Sequence, residues 1–143
     1  MNIELEPIDS VSRGKIVSLF HTIFTEPDIH WEIQKGIKES FKDVMEECSA
    51  VAWKGDKPVG AILTVDRDGL HIDHIGVLQN HRRMGIGRML LRYAVDNADE
   101  SIASKIPKDN QAVIELMEEE GFERVDEKED HYLYRYDYEF DQE

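Results

Sequence analysis

Cysteine is almost missing from this chain of 143 residues, since Cys48 is the only one. A single cysteine excludes an internal disulfide framework and argues against a zinc site built from thiolates. Long apolar runs are missing as well, so no segment is suited to span a bilayer. Residues 1–6 include Glu4 and Glu6 and lack a secretory pattern. These absences predict a soluble, cytoplasmic protein that binds no membrane, with Cys48 as a small buried side chain.

Positive charge is also scarce, with 17 Lys and Arg against 31 Asp and Glu and a net charge of −14. This balance argues against binding to nucleic acid or to an anionic membrane, both of which need positive charge. Residues 118–143 carry 12 acidic and 3 basic side chains, whereas residues 71–92 carry four Arg and one Asp. A positive region in an acidic protein predicts an anionic cofactor and a cationic substrate, although the acidity fits a role in solubility equally well.

The size and composition predict one domain, residues 1–143, with 41% apolar residues and no internal repeat or linker. Alternation of apolar and polar residues predicts strands, and helical periodicity with capping residues predicts helices. The predicted strands cover residues 1–8, 49–53, 59–65, 70–77, 100–106, 122–126 and 131–140, and the predicted helices cover residues 10–24, 29–47, 83–97 and 110–120. The fold class is therefore α/β (α+β) with the order βααβββαβαββ, in which the second to fourth strands form an antiparallel meander.

The stretch from His71 to Arg88 is the most informative part of the sequence. It predicts a strand that runs into a glycine-rich turn, and the turn opens a helix. Gly85 and Gly87 leave the backbone uncovered where the helix begins, and a helix start presents unpaired N–H groups and the positive end of the dipole. Positive charge is added by Arg82, Arg83 and Arg88. The stretch therefore predicts a site for a phosphate or pyrophosphate group.

The motif Arg82-x-x-Gly85-x-Gly87 and a second block support each other. The second block, from Asn110 to Phe122, is a predicted helix that starts at an Asn and closes in Gly-Phe. With the order of elements, the two blocks resemble the GNAT superfamily of acetyl-CoA-dependent N-acetyltransferases over nearly the whole chain. The resemblance implies a central mixed, mostly antiparallel sheet flanked by helices, acetyl-CoA as co-substrate without a metal, and direct attack of a primary amine on the thioester in a ternary complex.

The resemblance also implies which residues bind acetyl-CoA. The backbone of Ile75, Gly76 and Val77 would pair with the pantetheine arm, because in this family the strand and its neighbour splay apart. An extended arm with amide groups needs such a free strand edge. Asn110 would contact the cofactor near the thioester. The pyrophosphate would be held by the turn and the start of the helix, which comprise Arg82, Arg83, Met84, Gly85, Ile86, Gly87 and Arg88.

The reaction needs a base, because an ammonium ion cannot attack a carbonyl carbon. His71 and Asp73 are two residues apart on a predicted strand, so they share one face with Cα atoms roughly 6.5–7 Å apart, whereas His74 is expected on the opposite face. A carboxylate near an imidazole raises the pKa of the imidazole and orients its ring. Asp73 or His71, acting through water, is the candidate base, and the alternative is that both only line a wet cleft. The N–H of Val77 or a neighbour is the candidate donor to the developing oxyanion.

The family pattern is broken at Met117, where many members carry a tyrosine that protonates the departing thiolate. A thioether has no proton to donate. One of the tyrosines that share a face of the last strand could supply a hydroxyl instead, although aromatic packing is the simpler interpretation: Tyr132, Tyr134, Tyr136 and Tyr138. Met117 also motivates an alternative function, a non-catalytic acyl-CoA-binding module with a sensory or regulatory role. A nucleotide-phosphate binder of another fold is the third interpretation, and the order of elements argues against it.

The acceptor is expected to be a primary amine of a small molecule, peptide or protein, and the acidic surface favours a cationic one. Glu26 and Asp28, in the predicted break between the first two helices, could attract it, although a helix cap and solvent exposure explain them as well. The histidines show no spacing typical of metal ligands, so no metal site is predicted. The family resemblance and the tyrosines of the last strand suggest a homodimer.

Overall fold

Seven strands form one sheet in the computed structural model, which describes residues 2–23 and 32–138. The strands are β1 (Ile3–Pro7), β2 (Ala50–Lys54), β3 (Lys57–Asp66), β4 (Leu70–Val77), β5 (Ile102–Pro107), β6 (Glu123–Glu127) and β7 (His131–Tyr136). The helices are α1 (Arg13–Ile23), α2 (Glu32–Ser40), α3 (Ile86–Asp96) and α4 (Gln111–Glu119), and short 3₁₀ turns cover Ile8–Ser10, Phe41–Asp43, Glu46–Cys48 and Gln79–His81. The predicted order βααβββαβαββ is confirmed.

The strands lie in the order β1-β2-β3-β4-β5-β7-β6. Every neighbouring pair is antiparallel except β4 and β5, which are parallel. The predicted meander of β2, β3 and β4 and the mostly antiparallel sheet are confirmed. The last strand, β7, lies between β5 and β6, so it presents no free edge to a second copy of the chain.

The sheet is covered on both faces by apolar side chains. On one face, α3 and α4 pack against the sheet through buried residues such as Leu90, Leu91 and Ile114. On the other face, α1 and α2 do so, with Phe20 and Ile37 fully buried. The alternation of β3 supplies both cores, because Ile62 faces α3 while its neighbours Ala61 and Leu63 face α1 and α2.

Cys48 is buried in the core on the α3 side, as predicted. Burial, with nearby carboxylates as the smaller cause, raises the pKa of its thiol to about 11. The thiol is therefore protonated at neutral pH, and a protonated, buried thiol is a poor nucleophile.

The second helix is shorter than predicted, because α2 ends at Ser40 rather than near Glu47. Past this point the chain turns toward β3: Val44 has extended backbone angles and forms a bridge with Val65. The next N–H, of Met45, donates to the Thr64 carbonyl at 2.8 Å. Pairing with the sheet has overridden the helical periodicity of this segment.

The third helix begins at Ile86, three residues later than predicted. Arg83 and Gly85 have φ angles of 68° and 79°, which lie in the left-handed region and cannot belong to a right-handed helix. The break predicted at residues 25–28, with Glu26 and Asp28, lies outside the described residues. Within the described residues, no helix is long and apolar enough to cross a membrane.

Candidate active site

The sheet divides at β4 and β5, which pair over only three residues each. Leu70–Ile72 of β4 match Ile102–Ser104 of β5, and the buried Ser104 hydroxyl donates to the Ile72 carbonyl at 3.3 Å. Beyond this point each strand continues without pairing to the other in the part of the chain that the structure describes. Because the strands are parallel, their carboxyl ends lie at the same end of the sheet, and a cleft opens between them there.

Ile75, Gly76 and Val77 line one side of this cleft. On their other edge they pair with β3, opposite Ile62, Ala61 and Gly60. Their β5-facing edge has no strand partner among the described residues, so its backbone groups are available to an extended ligand. The predicted splaying of the strand from its neighbour is present at the predicted residues.

The turn between β4 and α3 leads from the cleft to a helix start. The Leu78 N–H donates to the Val59 carbonyl at 2.8 Å, which ties the start of the turn to β3. Arg82 Nε donates to the Val77 carbonyl at 2.9 Å and so folds the turn back on the strand. The first bond into the helix joins the Met89 N–H to the Gly85 carbonyl at 3.0 Å.

Gly85 is the N-cap of α3 and supplies no capping side chain. A Cβ at Gly85 would have no atom within 4 Å, so the space above the helix start is open. The N–H groups of the first turn therefore have no capping side chain at the N-cap, and the positive end of the helix dipole lies behind them. This arrangement fits an anionic group such as a pyrophosphate.

The arginines at the turn differ in their partners. Arg83 is exposed. Arg88 is turned toward α4, where its guanidinium contacts Glu119 at 2.9 Å and Glu120 at 2.8 Å. The positive charge of Arg88 is therefore already paired, and its contribution at the helix start is limited to its backbone N–H.

Asn110 is the N-cap of α4, and its side-chain oxygen accepts a bond from the Val113 N–H at 3.4 Å. It follows the end of β5, at the same end of the sheet as the cleft. The side chain of Asn110 therefore caps the helix. Its predicted contact with a cofactor stays a prediction.

Asp73 is the centre of a polar network that the sequence did not reveal. The pairing of β4 with β3 shifts at this point, so that Asp73 forms a bulge between Ile72 and His74. Asp73 Oδ2 accepts a bond from the Ser40 hydroxyl at 2.5 Å and lies 3.1 Å from Arg67 Nη1. Arg67 Nε also donates to Asp43 at 2.9 Å, so the network joins the end of α2 to β4.

The prediction that His74 lies on the opposite face from Asp73 is wrong. Its ring lies 5.7 Å from the ring of Phe20 and is hydrogen-bonded to the backbone of Gly36, so it faces α1 and α2 as Asp73 does. The bulge at Asp73 breaks the alternation and brings both side chains to one face. Burial outweighs the neighbouring Asp73 and lowers the pKa of His74, which is neutral at pH 7.

His71 lies on β4 opposite Val65 of β3 and Ala103 of β5. It is partly buried, and its neighbours Leu70 and Ile72 belong to the core on the α3 side. The alternation before the bulge therefore places the His71 side chain on the face of α1 and α2, the face of Asp73 and His74.

Met117 is fully buried in the core beneath α4. The tyrosines of β7 face the same core, as their spacing predicted, but the hydroxyl of Tyr134 is already engaged: it donates to Glu118 at 2.6 Å and accepts from Arg124 at 3.1 Å. Burial, followed by the bond to Glu118, raises the pKa of Tyr134. Tyr132 lies beneath the Arg124 guanidinium, 3.6 Å from ring centre to Cζ. These two tyrosines therefore serve packing and hydrogen bonding.

The sequence profile of the acetyltransferase (GNAT) family matches residues 15–122. The chain belongs to this family. The match covers the divided strands, the glycine turn and α4, which line or adjoin the cleft. Within the described residues, no group of three or more His, Cys, Asp or Glu side chains is arranged to hold a metal ion.

Two relatives of this GNAT chain are named for acetyl transfer. It is 32% identical over 104 residues to "Probable N-acetyltransferase san" of Drosophila melanogaster, a match that covers 64% of this chain and 56% of the relative. It is 28% identical over 104 residues to "N-alpha-acetyltransferase 50" of Danio rerio, with 64% of this chain and 62% of the relative covered. The chain thus spans less than two thirds of the length of these relatives.

Solved structures share the fold. A protein from Pyrococcus horikoshii OT3 superposes with a TM-score of 0.81 at 20% identity, covering 97% of this chain and 100% of that one. Naa50 of Arabidopsis thaliana, in complex with the bisubstrate analogue CoA-Ac-MVNAL, superposes with a TM-score of 0.72 at 20% identity, covering 96% of this chain and 100% of that one.

Proposed function

We propose that the protein is an N-acetyltransferase that moves the acetyl group of acetyl-CoA to a primary amine by direct attack in a ternary complex. The observation that carries this proposal is the division of the sheet after Ile72 and Ser104, directly beside an uncapped helix start. An exposed strand edge suits an amide-bearing pantetheine arm, and the helix start suits the pyrophosphate at the other end of that arm.

In this proposal acetyl-CoA lies along the cleft. The backbone of Ile75, Gly76 and Val77 pairs with the pantetheine arm, and the N–H groups of residues 83–88 bind the pyrophosphate. Arg82 holds the turn in place through the Val77 carbonyl, while Arg83 is exposed and supplies positive charge. Asn110 lies at the same end of the sheet and contacts the thioester end of the molecule.

His71 is the first candidate for the base that takes a proton from the acceptor ammonium, acting through water. Asp73 is the second, but its Oδ2 atom is already held by Ser40 and Arg67. A carboxylate with two such partners is better suited to fixing the geometry of the strand than to accepting a proton. His74 is partly buried and neutral at pH 7, and its ring packs near that of Phe20.

The chemical step balances without a tyrosine at position 117. The amine nitrogen attacks the thioester carbon, the N–C bond forms, and the oxyanion accepts a backbone N–H near Val77. The carbonyl then re-forms as the C–S bond breaks and its electron pair leaves on sulfur. The proton that the nitrogen loses on becoming an amide passes through water to the thiolate.

The acceptor is a primary amine of a small molecule or of a peptide or protein. The name of the Danio rerio relative, N-alpha-acetyltransferase 50, and the peptide-bearing analogue on Arabidopsis thaliana Naa50 support a peptide acceptor. The net charge of −14 supports a cationic one. A cytoplasmic location stays a prediction of the sequence, and a homodimer stays a prediction of the family resemblance.

Thiol release tests the proposal. The protein is incubated with acetyl-CoA and a panel of small amines, polyamines and peptides with free N-termini, and the free CoA thiol is measured over time. We expect acceptor-dependent release with at least one amine. Saturable binding of acetyl-CoA without turnover on any amine would instead favour the second candidate, a non-catalytic acyl-CoA-binding module, to which the buried Met117 points.

Variants then test the base. His71→Ala is expected to lower kcat by about 10²-fold or more, the usual contribution of a general base. Asp73→Asn reports on the second candidate, and His21→Ala, at the end of α1, is the matched control that leaves activity unchanged. A loss below about threefold in both β4 variants would rule out this assignment.

A further inference from the structure

A second cavity, separate from the cleft, lies between α1, the β2–β3 hairpin and the segment after β4. Its volume is about 790 Å³, within the range typical of small-molecule sites. Its walls include Lys15, Leu19, Trp53, Lys57, Leu78 and His81. None of its lining residues is assigned to the acetyl-CoA site or to the catalytic residues.

The cavity has an apolar wall and a positive rim. Leu19 of α1 and Leu78 after β4 are joined by the Trp53 indole, above which Lys15 Nζ lies 5.8 Å from the ring centre. Lys15 and Lys57 have no carboxylate within 4.0 Å in the described part of the chain. Asp56 also lies on the rim, so the two lysines outnumber the one acidic side chain.

Lys15 and Lys57 bring positive charge to the cavity in a protein whose carboxylates outnumber its cations by 31 to 17. The charges of Lys57 and Lys54, after burial, lower the pKa of the nearby His81. The histidine is therefore neutral at pH 7, while the lysines supply the positive charge. An anion in the cavity would be attracted by this local charge despite the acidic surface elsewhere.

Two buried nitrogen atoms on the cavity walls have no hydrogen-bond partner in the described structure: Trp53 Nε1 and His81 Nδ1. The indole N–H can only donate, and an imidazole nitrogen donates or accepts according to its tautomer. A buried polar group without a partner costs stability, and both belong to residues that line the same cavity. Because the Trp53 N–H is covered in the structure, a ligand oxygen becomes its acceptor only if the indole shifts toward the cavity.

We propose that this cavity is a binding site for a small organic anion, a carboxylate or phosphate carried on a flat apolar body. The apolar body packs between Leu19, Leu78 and the Trp53 ring, and the anionic group meets Lys15 and Lys57. Because the wall at His81 continues directly into the turn that begins at Arg82, the site adjoins the acetyl-CoA cleft without sharing its residues.

The test uses 2-naphthoate as the probe and the full chain with Trp31→Phe, so that Trp53 gives the only indole signal. Proton–nitrogen NMR spectra follow the Trp53 Nε1–H during titration, and 2-naphthamide serves as the uncharged control ligand. We expect a saturable shift with 2-naphthoate and at least tenfold weaker binding of 2-naphthamide. No shift with 2-naphthoate, or equal binding of both probes, would overturn the proposal.

The double variant Lys15→Gln/Lys57→Gln is expected to weaken 2-naphthoate binding at least tenfold. Lys42→Gln, which removes the same kind of charge from an exposed site beside Glu39, is the matched control and leaves the affinity unchanged. Equal weakening in both would show a general charge effect and overturn the proposal. Loss of 2-naphthoate binding in the presence of saturating CoA would also overturn it, since the cavity would then belong to the CoA site.

Discussion

His74 is a histidine held neutral by its surroundings. Its ring packs near Phe20 and forms a hydrogen bond with the backbone of Gly36. Burial lowers the pKa of His74, although the negative charge of Asp73 acts in the opposite direction. In the unfolded chain the same histidine has its ordinary pKa of about 6.5. Below that pH the unfolded state therefore binds a proton that the folded state does not, and stability falls as the pH falls.

This pH dependence is testable with His74→Gln, which removes the titrating group and keeps a polar side chain. Between about pH 7 and pH 5.5 the wild-type free energy of unfolding should fall more steeply than that of the variant, by at most about 1.4 kcal/mol per pH unit. Denaturant unfolding at the two pH values measures the difference. His21→Gln, in the last turn of α1, is the control, and a variant slope equal to the wild-type slope would contradict this account.

At the residue scale, the hydrogen-bonded network of Ser40, Asp73, Arg67 and Asp43 could not be predicted from the sequence. Ser40 and Asp43 lie at least 24 residues before their partners Arg67 and Asp73. The spacing of His71, Asp73 and His74 predicts plain alternation along the strand. The bulge that breaks it is visible only in the pairing with β3. The charged β3–β4 turn, where Arg67 lies between Asp66 and Asp68, was the one available signal, and it does not identify a partner.

At the scale of elements, β3 and β4 leave no room for a side chain at Gly60. A Cβ at this position would lie 3.0 Å from the Gly76 carbonyl oxygen and 3.3 Å from side-chain atoms of Leu90 and Val77. The first of these is backbone, which yields less readily than a side chain. Gly60 thus sets the position of the strand that lines the cleft.

Gly60→Ala is expected to destabilise the fold by about 1–3 kcal/mol through overpacking. The matched control is Gly14→Ala in α1, where a Cβ meets nothing within 4 Å and helix propensity predicts a gain of up to about 1 kcal/mol. Thermal unfolding of both variants measures the effect. Equal changes in Tm for the two variants would show that a Cβ at Gly60 causes no strain against the Gly76 carbonyl.

The elements themselves were predictable from the sequence, and the order and most bounds agree within a few residues. The predicted bounds that were wrong concern short segments, and tertiary contacts or backbone angles explain each difference. The segment after Ser40 has a helical pattern, yet it pairs with β3 through Val44 and Met45. The helix after the glycine turn starts late because Arg83 adopts a positive φ, which its residue type does not predict.

At the scale of the molecule, the sheet consists of two parts, β1–β4 and β5–β7, joined by three paired residues on each of β4 and β5. Ion pairs from Arg88 to Glu119 and Glu120 join α3 to α4 across the same division. A ligand that fills the cleft would contact both parts. Its binding should therefore stabilise the whole molecule as well as the turn.

Acetyl-CoA at about 100 times its Kd is expected to add about 2.7 kcal/mol to stability, which raises Tm by about 5–10 °C for a chain of this size. Hydrogen exchange should show slower exchange at two places, the amides of residues 75–77 and those of residues 83–88. Adenosine 3′,5′-bisphosphate, which has a nucleotide but no pantetheine arm, is the matched control ligand. It should protect the turn and leave residues 75–77 unchanged.

The two ligands separate the two halves of the proposed site. Protection of residues 75–77 requires an arm that extends from the turn along β4, because that edge of the strand has no partner on the β5 side among the described residues. If adenosine 3′,5′-bisphosphate slowed exchange at residues 75–77 to the same extent as acetyl-CoA, the slower exchange would reflect general stabilisation of the fold. If acetyl-CoA protected only the turn, the strand edge would not be the pantetheine site, and the division of the sheet would need another explanation.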